Sequence, residues 1–146
     1  MRCVLQRVRS AVVTVDGKTV GEIGRGLLVL CGFCEGDDDE KIEWIAKRIS
    51  KLRIFTDEND KLNYSLIDVK GSALIVSNFT LYGDCLHGNR PDFGKAAKGE
   101  ISRPMYEYFV SKMAEFVPVQ TGRFGEHMEL KLDIDGPITA VIEKLL

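Results

Sequence analysis

Polar side chains that could do chemistry follow directly on an aliphatic run, at Ser77, Asn78 and Thr80. The run, Ala73-Leu74-Ile75-Val76, is typical of a buried strand because it is short and follows the turn signal Lys70-Gly71. A strand that ends in hydroxyl and amide groups is a common way to build a site, since the sheet fixes the backbone while the loop exposes the polar groups. The alternative is an edge strand followed by ordinary polar turn residues, and the local sequence alone slightly favours it.

Cysteine and histidine offer little further chemistry. Cys31 and Cys34 have the spacing of a redox pair, but Cys31 ends the apolar run Leu27-Leu28-Val29-Leu30 and is better interpreted as a small buried residue. The histidines are His87 and His127 alone, and there is no second cysteine pair, so we expect no structural zinc site.

The remaining polar residues do not form a familiar catalytic arrangement. Asp133 and Asp135 would share one face of a strand, which allows a carboxylate pair, although a turn at a strand end explains them more simply. A thiol nucleophile at Cys85 beside His87 would rest only on a two-residue spacing in a Gly-rich loop. The sequence contains no G-x-S-x-G elbow, P-loop or dinucleotide fingerprint. If the chain is an enzyme, backbone groups and the substrate itself must supply much of the chemistry.

Length and composition predict one globular domain over residues 1–146, because a chain with 45% hydrophobic residues can form a substantial core. The net charge of −2 argues against broad charge-driven binding to nucleic acid, but it allows a small pocket that recognises an RNA end. No apolar run approaches the roughly 20 residues of a membrane span. The first residues lack the apolar core of a signal peptide. We therefore expect a cytoplasmic protein that does not associate with membranes.

Alternating and aliphatic patterns predict a strand-rich chain. The expected strands cover residues 6–15, 18–23, 27–33, 53–56, 65–69, 72–79, 126–134 and 138–142, with 65–69 and 72–79 forming a pair. Asp16-Gly17 is a two-residue hairpin signal, and Gly24-Arg25-Gly26 predicts a turn. The fold class is therefore α/β, a single strand-rich domain with a mainly antiparallel sheet and two packed helices.

Two helices are expected. Asp37, followed by Glu40, resembles a capping box that opens the first helix. Pro104 predicts the first turn of the second helix, which must end before Pro118. Apolar residues at helical spacing form the two expected buried stripes, Ile42, Ile45, Ala46, Ile49 and Leu52 in the first helix and Met105, Tyr108, Phe109, Met113 and Phe116 in the second.

Residues 85–103 have no regular pattern and carry a local excess of positive charge. The four basic residues Arg90, Lys95, Lys98 and Arg103 stand against the two acidic residues Asp92 and Glu100. A solvated loop explains this excess, and the charge alone does not indicate a binding site.

The chain closely resembles the D-aminoacyl-tRNA deacylase family in its two signature motifs, Ser77-Asn78-Phe79-Thr80-Leu81-Tyr82 and Asp135-Gly136-Pro137-Ile138-Thr139. Further matching segments follow in order along the whole chain: Gln6-Arg7-Val8, Val15-Asp16-Gly17, Gly26-Leu27-Leu28-Val29, Leu52-Arg53-Ile54-Phe55, Arg90-Pro91 and Thr121-Gly122-Arg123-Phe124-Gly125. The resemblance implies a homodimeric cytoplasmic esterase without metal or cofactor. Its substrate would be the ester between a D-amino acid and the 3′-terminal adenosine of tRNA.

The resemblance also assigns roles to residues. The catalytic motif would be Ser77, Asn78, Phe79 and Thr80, where backbone amides near Phe79 and Thr80 polarise the ester carbonyl and the 2′-hydroxyl of the RNA assists. Thr80 matches a threonine once considered a nucleophile.

Chiral selectivity is implied for Gly136-Pro137, as a cis peptide that reaches into the pocket of the partner subunit. Its carbonyls would bind the amino group and exclude an L side chain, and Arg7 would hold the motif in place. An ordinary turn between strands is the alternative for Gly136-Pro137, and the match of Arg7 and the Thr80 stretch places the functional interpretation ahead of it.

Three departures from the family pattern leave other functions open. Asn78 stands where the family usually has Gln, Ile134 where it usually has Asn, and His87-Gly88-Asn89-Arg90-Pro91 where it often has Lys-Gly-Arg-Arg-Pro. These changes bear on tRNA affinity and rate. The alternatives are a deacylase of altered selectivity, such as one acting on Gly-tRNA or an L-aminoacyl-tRNA, and a non-catalytic nucleic-acid-binding paralogue.

Overall fold

β1 (Arg2–Val15) is the strand around which the sheet is built, and the computed structural model describes residues 1–145. β1 turns at Asp16-Gly17 into the antiparallel β2 (Lys18–Ile23), with Val15 opposite Lys18. Both turn residues have positive φ, 51° and 76°, as a tight two-residue hairpin requires. The predicted hairpin is confirmed.

Four further strands complete this sheet. β3 (Gly26–Gly32) pairs with β1 antiparallel, β6 (Ser72–Ser77) pairs with β3 in parallel, and β7 (Val119–Thr121) pairs with β6 in parallel. β8 (Glu129–Glu143) pairs antiparallel with β1 over nearly its whole length. The short strands β4 (Phe55–Thr56) and β5 (Leu62–Tyr64) form a separate hairpin. The expected α/β fold with a mainly antiparallel sheet and two helices is confirmed.

Helix α1 (Asp39–Lys51) begins one residue later than its predicted capping box implies. Its N-cap is Asp38, whose side chain accepts a hydrogen bond from the Lys41 amide. Asp37 is instead buried, with its carboxylate against the N-terminal amine of Met1 at 2.5 Å. The predicted stripe of α1 is confirmed for Ile42, Ile45, Ala46 and Ile49, all fully buried, while Leu52 is the partly buried C-cap.

Helix α2 (Gly99–Ala114) begins five residues before Pro104, so Pro104 lies inside the helix rather than in its first turn. The predicted irregular segment therefore ends at residue 98. The buried positions of α2 are Ser102, Tyr106, Phe109 and Met113, which places Tyr106 in the core where Tyr108 was expected. The helix ends before Pro118, as predicted.

The two faces of the sheet are covered differently. One face packs against α1 and α2 in a cluster that includes Leu5, Val29 and Ile75. The other face holds a smaller apolar cluster that contains no helical residue within the described chain. Its fully buried members Val8 and Val13 are flanked by side chains that stay partly exposed, namely Val20, Leu30, Met128, Leu130 and Leu132. We call this second surface the open sheet face.

Several strand predictions are wrong in detail. Residues 65–69 form a turn rather than a strand. The predicted pair of 65–69 with 72–79 therefore does not exist, and β6 pairs with β3 and β7 instead. β6 also ends at Ser77, so Asn78 and Phe79 lie beyond the strand. The two final strands expected around Asp135-Gly136-Pro137 are one strand, β8, which bulges there instead of breaking.

Within residues 1–145, no helix has both the length and the apolar character needed to cross a membrane.

Candidate active site

A short 3-10 helix (Phe79–Tyr82) follows β6 and carries the first group of predicted site residues. Asn78 is its N-cap, and the Asn78 side-chain oxygen accepts hydrogen bonds from both the amide and the hydroxyl of Thr80, at 3.2 and 2.5 Å. Asparagine suits this position because its short amide reaches the backbone two residues ahead. The Asn78 amide itself donates to the Cys31 carbonyl at 2.8 Å, which ties the start of the 3-10 helix to β3.

The Phe79 amide has no hydrogen-bond partner within residues 1–145. It is the first amide of the 3-10 helix, and the first amides of any helix lack acceptors within the helix. The neighbouring Thr80 amide is already engaged by Asn78. The free backbone donor of this loop is therefore at Phe79, where it can stabilise negative charge on a carbonyl oxygen.

Ser77, Asn78, Phe79 and Thr80 all line one cavity of about 730 Å³. Its other walls come from the ends of β3 and β6, the loop 93–98, the start of α2, the turn 124–128 and the start of β8. A mostly apolar cleft of this size with a few convergent polar groups is typical of a small-ligand site. The structure thus brings the four predicted catalytic residues to one place.

An aromatic pair stands at this cavity. The rings of Phe79 and Phe93 meet edge to face with centroids 5.4 Å apart. The two residues stay 57% and 38% exposed, which is unusual for phenylalanine in a folded chain. Exposed aromatic rings are the usual surfaces on which nucleic-acid bases stack.

A second group of predicted residues lies where β8 bulges away from β1. In the pairing of β1 with β8, Gln6 lies opposite Thr139 and Val8 lies opposite Ile134. The four residues 135–138 of β8 therefore lie opposite Arg7 alone. The Gly136–Pro137 peptide in this bulge is cis, and both residues are exposed.

Arg7 holds the bulge of β8 through its contacts with Asp135. It is only 6% exposed, and its guanidinium Nε lies 3.2 Å from both the carbonyl and the carboxylate of Asp135. Its Nη1 donates to the Ile54 carbonyl at 3.0 Å and to the Thr56 hydroxyl at 2.9 Å. A buried arginine with these partners holds a rigid geometry, because its planar fork is fixed at several points. Arg7 therefore links the bulge of β8 to β4.

The two groups are separate within one chain, since Arg7, Gly136 and Pro137 do not line the cavity that holds the other four residues. No local sequence pattern indicated the remaining polar wall of that cavity, which includes Lys98, Ser102, Glu126 and His127. Only the tertiary fold brings these residues to Ser77.

The weaker candidates from the sequence are explained structurally. Cys31 is fully buried, and burial raises the pKa of its thiol well above the usual range, which keeps it protonated and unreactive. Cys85 and His87 are exposed and do not line the cavity. Asp133 and Asp135 both form ion pairs with Arg9, at 3.5 and 3.2 Å, so one arginine bridges the two carboxylates.

A family model described as D-Tyr-tRNA(Tyr) deacylase matches residues 4–143. The chain belongs to this family. The predicted family membership is confirmed, and it covers both the loop at Ser77–Thr80 and the bulge at Gly136–Pro137.

Curated relatives agree closely along the whole chain. The D-aminoacyl-tRNA deacylase of Thermosipho africanus is 49% identical over 98% of this chain and 97% of its own length. The enzyme of the same name from Chloroflexus aurantiacus is 51% identical over 98% of this chain and 90% of its own length.

Solved structures share the fold of this deacylase family member. The c-Myc DNA unwinding element binding protein superposes with a TM-score of 0.94, covers 100% of both chains and is 35% identical. A probable eukaryotic D-amino acid tRNA deacylase has a TM-score of 0.84 over 97% of both chains, and at 20% identity this is a likeness of fold alone.

Proposed function

We propose that this chain hydrolyses the ester bond of D-aminoacyl-tRNA in the cytoplasm, so that water is consumed and a free D-amino acid and tRNA are released. The observation that carries the proposal is the cavity in which the family motif Ser77–Thr80 surrounds a free backbone donor at Phe79. Membership of the deacylase family over residues 4–143 supplies the reaction class.

The Phe79 amide is the group we assign to the ester carbonyl. Attack of water on that carbonyl puts negative charge on its oxygen, and a fixed N–H donor stabilises this charge without reorganising. Asn78 contributes by capping Thr80, which holds the 3-10 helix and the Phe79 amide in place. The 2′-hydroxyl of the terminal ribose is the substrate group that assists, as the family resemblance implies.

Chiral selection is assigned to Gly136-Pro137 of a second subunit. The bulge is exposed and does not line the cavity of its own chain, so we assign it to the cavity that a second copy presents. The open sheet face supports this arrangement, because Leu30, Met128 and Leu130 belong both to that face and to the cavity wall. A copy seated on the open sheet face would therefore reach the cavity.

The selectivity follows from geometry at the α-carbon. The D- and L-isomers carry identical groups, so three fixed contact directions are needed to tell them apart. The ester carbonyl and the α-amino group supply two of them. A rigid backbone wall where the L side chain would point supplies the third, and overlap with it rejects the L-isomer. Glycine has no side chain to clash, so Gly-tRNA should be accepted to some degree.

The deciding experiment is deacylation of labelled D-Tyr-tRNA, L-Tyr-tRNA and Gly-tRNA by catalytic amounts of protein. We expect multiple turnovers on D-Tyr-tRNA, measurable turnover on Gly-tRNA and L-Tyr-tRNA at the uncatalysed rate. Release from L-Tyr-tRNA at a comparable rate would indicate a deacylase of different selectivity. If all three substrates stayed intact, the chain would be a non-catalytic binding protein.

The protein is expected to be a dimer in solution, because the proposed site draws on two subunits and a twofold interface places each bulge at the other cavity. Sedimentation velocity at micromolar concentration should give a species of twice the 16.3 kDa chain mass. A single 16.3 kDa species that is fully active on D-Tyr-tRNA would contradict the cross-subunit site.

Thr80→Ala is expected to keep deacylase activity within about tenfold of the wild type, the effect of one lost neutral hydrogen bond. The Thr80 hydroxyl donates to Asn78, and within the described chain no carboxylate or imidazole contacts it to act as a base. Single-turnover deacylation of D-Tyr-tRNA measures the effect, with Thr19→Ala in β2 as the control. Loss of activity by several orders of magnitude, together with an acyl-enzyme trapped on the wild type, would establish Thr80 as a nucleophile instead.

A further inference from the structure

The N-terminus of α2 opens into the same cavity. Lys98 is the N-cap and makes no side-chain capping bond, and the amides of Ile101 and Ser102 both donate to its carbonyl, at 2.9 and 2.8 Å. The amides of Gly99 and Glu100 have no acceptor within residues 1–145. Free amides at the start of a long helix favour an anion, since the helix dipole adds to their partial positive charge.

Ser102 gives an independent indication of a ligand at this place. The residue is only 8% exposed and lines the cavity, yet its hydroxyl makes no hydrogen bond within the described chain. The hydroxyl oxygen itself remains open to the cavity, so it is free to donate a hydrogen bond to a ligand there. Ser102 lies one turn after Gly99 on the same side of α2, so its hydroxyl and the free amides can meet one ligand.

The surroundings of this helix start allow close approach. A methyl group on Gly99 would meet only the Phe124 ring, at 3.9 Å, so the backbone there is open. Lys98 supplies a positive charge at the cavity wall. The acidic residues nearby are Glu100, which does not line the cavity, and Glu126, which lines it but lies 4.0 Å from Arg123.

We propose that Lys98, Gly99 and Ser102 form a phosphate subsite, which binds the phosphodiester that joins the terminal nucleoside of the RNA to the rest of the strand. The proposal rests on the proposed function, because that function places the terminal ester at Phe79 in the same cavity. A cavity of about 730 Å³ has room for a nucleoside between the ester and the phosphate. The exposed Phe79 and Phe93 rings offer a stacking surface beside it.

The subsite is tested by binding of three small probes to the full chain at fixed ionic strength. Adenosine lacks the phosphate, adenosine 5′-monophosphate carries it as a free monoester, and cytidylyl-3′,5′-adenosine carries it as the phosphodiester found in RNA. The wild type is expected to bind both phosphorylated probes about tenfold more tightly than adenosine, as measured by NMR titration.

Two variants remove the subsite and one serves as a matched control. Ser102→Ala and Lys98→Ala should each reduce the preference for the phosphorylated probes to a few-fold while leaving adenosine affinity unchanged. Both should raise KM for D-Tyr-tRNA and leave kcat unchanged, since the phosphate is remote from the reacting bond. Lys95→Ala removes the same charge from the same loop at a side chain that is 74% exposed and outside the cavity, so it should keep the full preference.

Equal wild-type affinity for adenosine and both phosphorylated probes would overturn the subsite, as would an equal loss for all three probes in the variants. A preference for the monoester alone, without any for cytidylyl-3′,5′-adenosine, would overturn the assignment to RNA. If the protein deacylates D-Tyr-tRNA but shows no preference for the phosphorylated probes, the subsite is wrong and the proposed function stands. If the protein prefers the phosphorylated probes but does not deacylate D-Tyr-tRNA, the subsite stands and the proposed function is wrong.

Discussion

Gly26→Ala is expected to lower the free energy of unfolding by about 3 kcal/mol or more, because no space exists for a side chain at this position. A Cβ on residue 26 would lie 1.8 Å from the carbonyl oxygen of Ser72. Gly26 and Ser72 are partners in the parallel pairing of β3 with β6, and the Ser72 amide donates to the Arg25 carbonyl at 3.1 Å. The obstacle is backbone held by its own hydrogen bonds, so it cannot move aside as a flexible side chain would.

Gly24→Ala is the matched control for this prediction. It lies two residues earlier in the same turn, and a Cβ there would meet no atom within 4 Å. Chemical denaturation of both variants should place the midpoint of Gly26→Ala far below that of Gly24→Ala, with Gly24→Ala close to the wild type. Coincident midpoints would mean that β3 and β6 do not approach each other as described. Because β6 ends at Ser77, Gly26→Ala should also disturb the loop Ser77–Thr80 of the candidate site.

Gly26 also illustrates what the sequence could and could not predict about the fold. Gly24-Arg25-Gly26 was interpreted as a turn, since local sequence reports turn propensity. The close approach of Ser72 depends on a strand 46 positions later and leaves no local signal. The β1–β2 hairpin and the stripe of α1 were predictable for the opposite reason, because both are determined by neighbouring residues.

Residues 65–69 were predicted as a strand because they contain the aliphatic residues Leu66, Ile67 and Val69, but they form a turn. In the structure Ser65 and Asp68 exchange hydrogen bonds between side chain and backbone, at 2.9 and 3.1 Å, which closes a turn. Such local side-chain bonds compete with strand formation. The start of α2 was placed too late because Pro104 is the clear local signal of a helix start, whereas the true N-cap, Lys98, makes no side-chain capping bond.

The candidate site was predictable to the extent that its residues are close in sequence. Ser77 to Thr80 form one loop, and the family resemblance identified them together with Arg7 and Gly136-Pro137. The capping of Thr80 by Asn78 was not foreseen, although it explains how the shorter amide can serve at this position. Phe93 and Ser102 reach the cavity only through the tertiary fold, so nothing near them in the sequence indicated a site.

Gly136→Ala is expected to reduce deacylation of D-Tyr-tRNA roughly hundredfold, because a displacement of about 1 Å near the reacting groups has an effect of this size. Gly136 has φ of 125°, a conformation that residues with a side chain rarely adopt. A Cβ there would also lie 2.7 Å from the Ile138 amide nitrogen and 3.3 Å from the Arg7 guanidinium. The bulge must therefore shift, and with it the carbonyls that we assign to chiral selection.

Gly17→Ala separates this effect from a loss of stability. Gly17 also has positive φ, 76°, but it lies in the β1–β2 turn, where a Cβ would meet no atom within 4 Å. Both substitutions force a side chain into a strained backbone conformation, at about 1–3 kcal/mol of unfolding free energy. Only Gly136→Ala should also lower the rate on D-Tyr-tRNA or raise the rate on L-Tyr-tRNA, measured on protein that circular dichroism shows to be folded. If Gly136→Ala kept the wild-type rate and the wild-type ratio between the two isomers, the bulge of β8 would have no part in selecting the substrate.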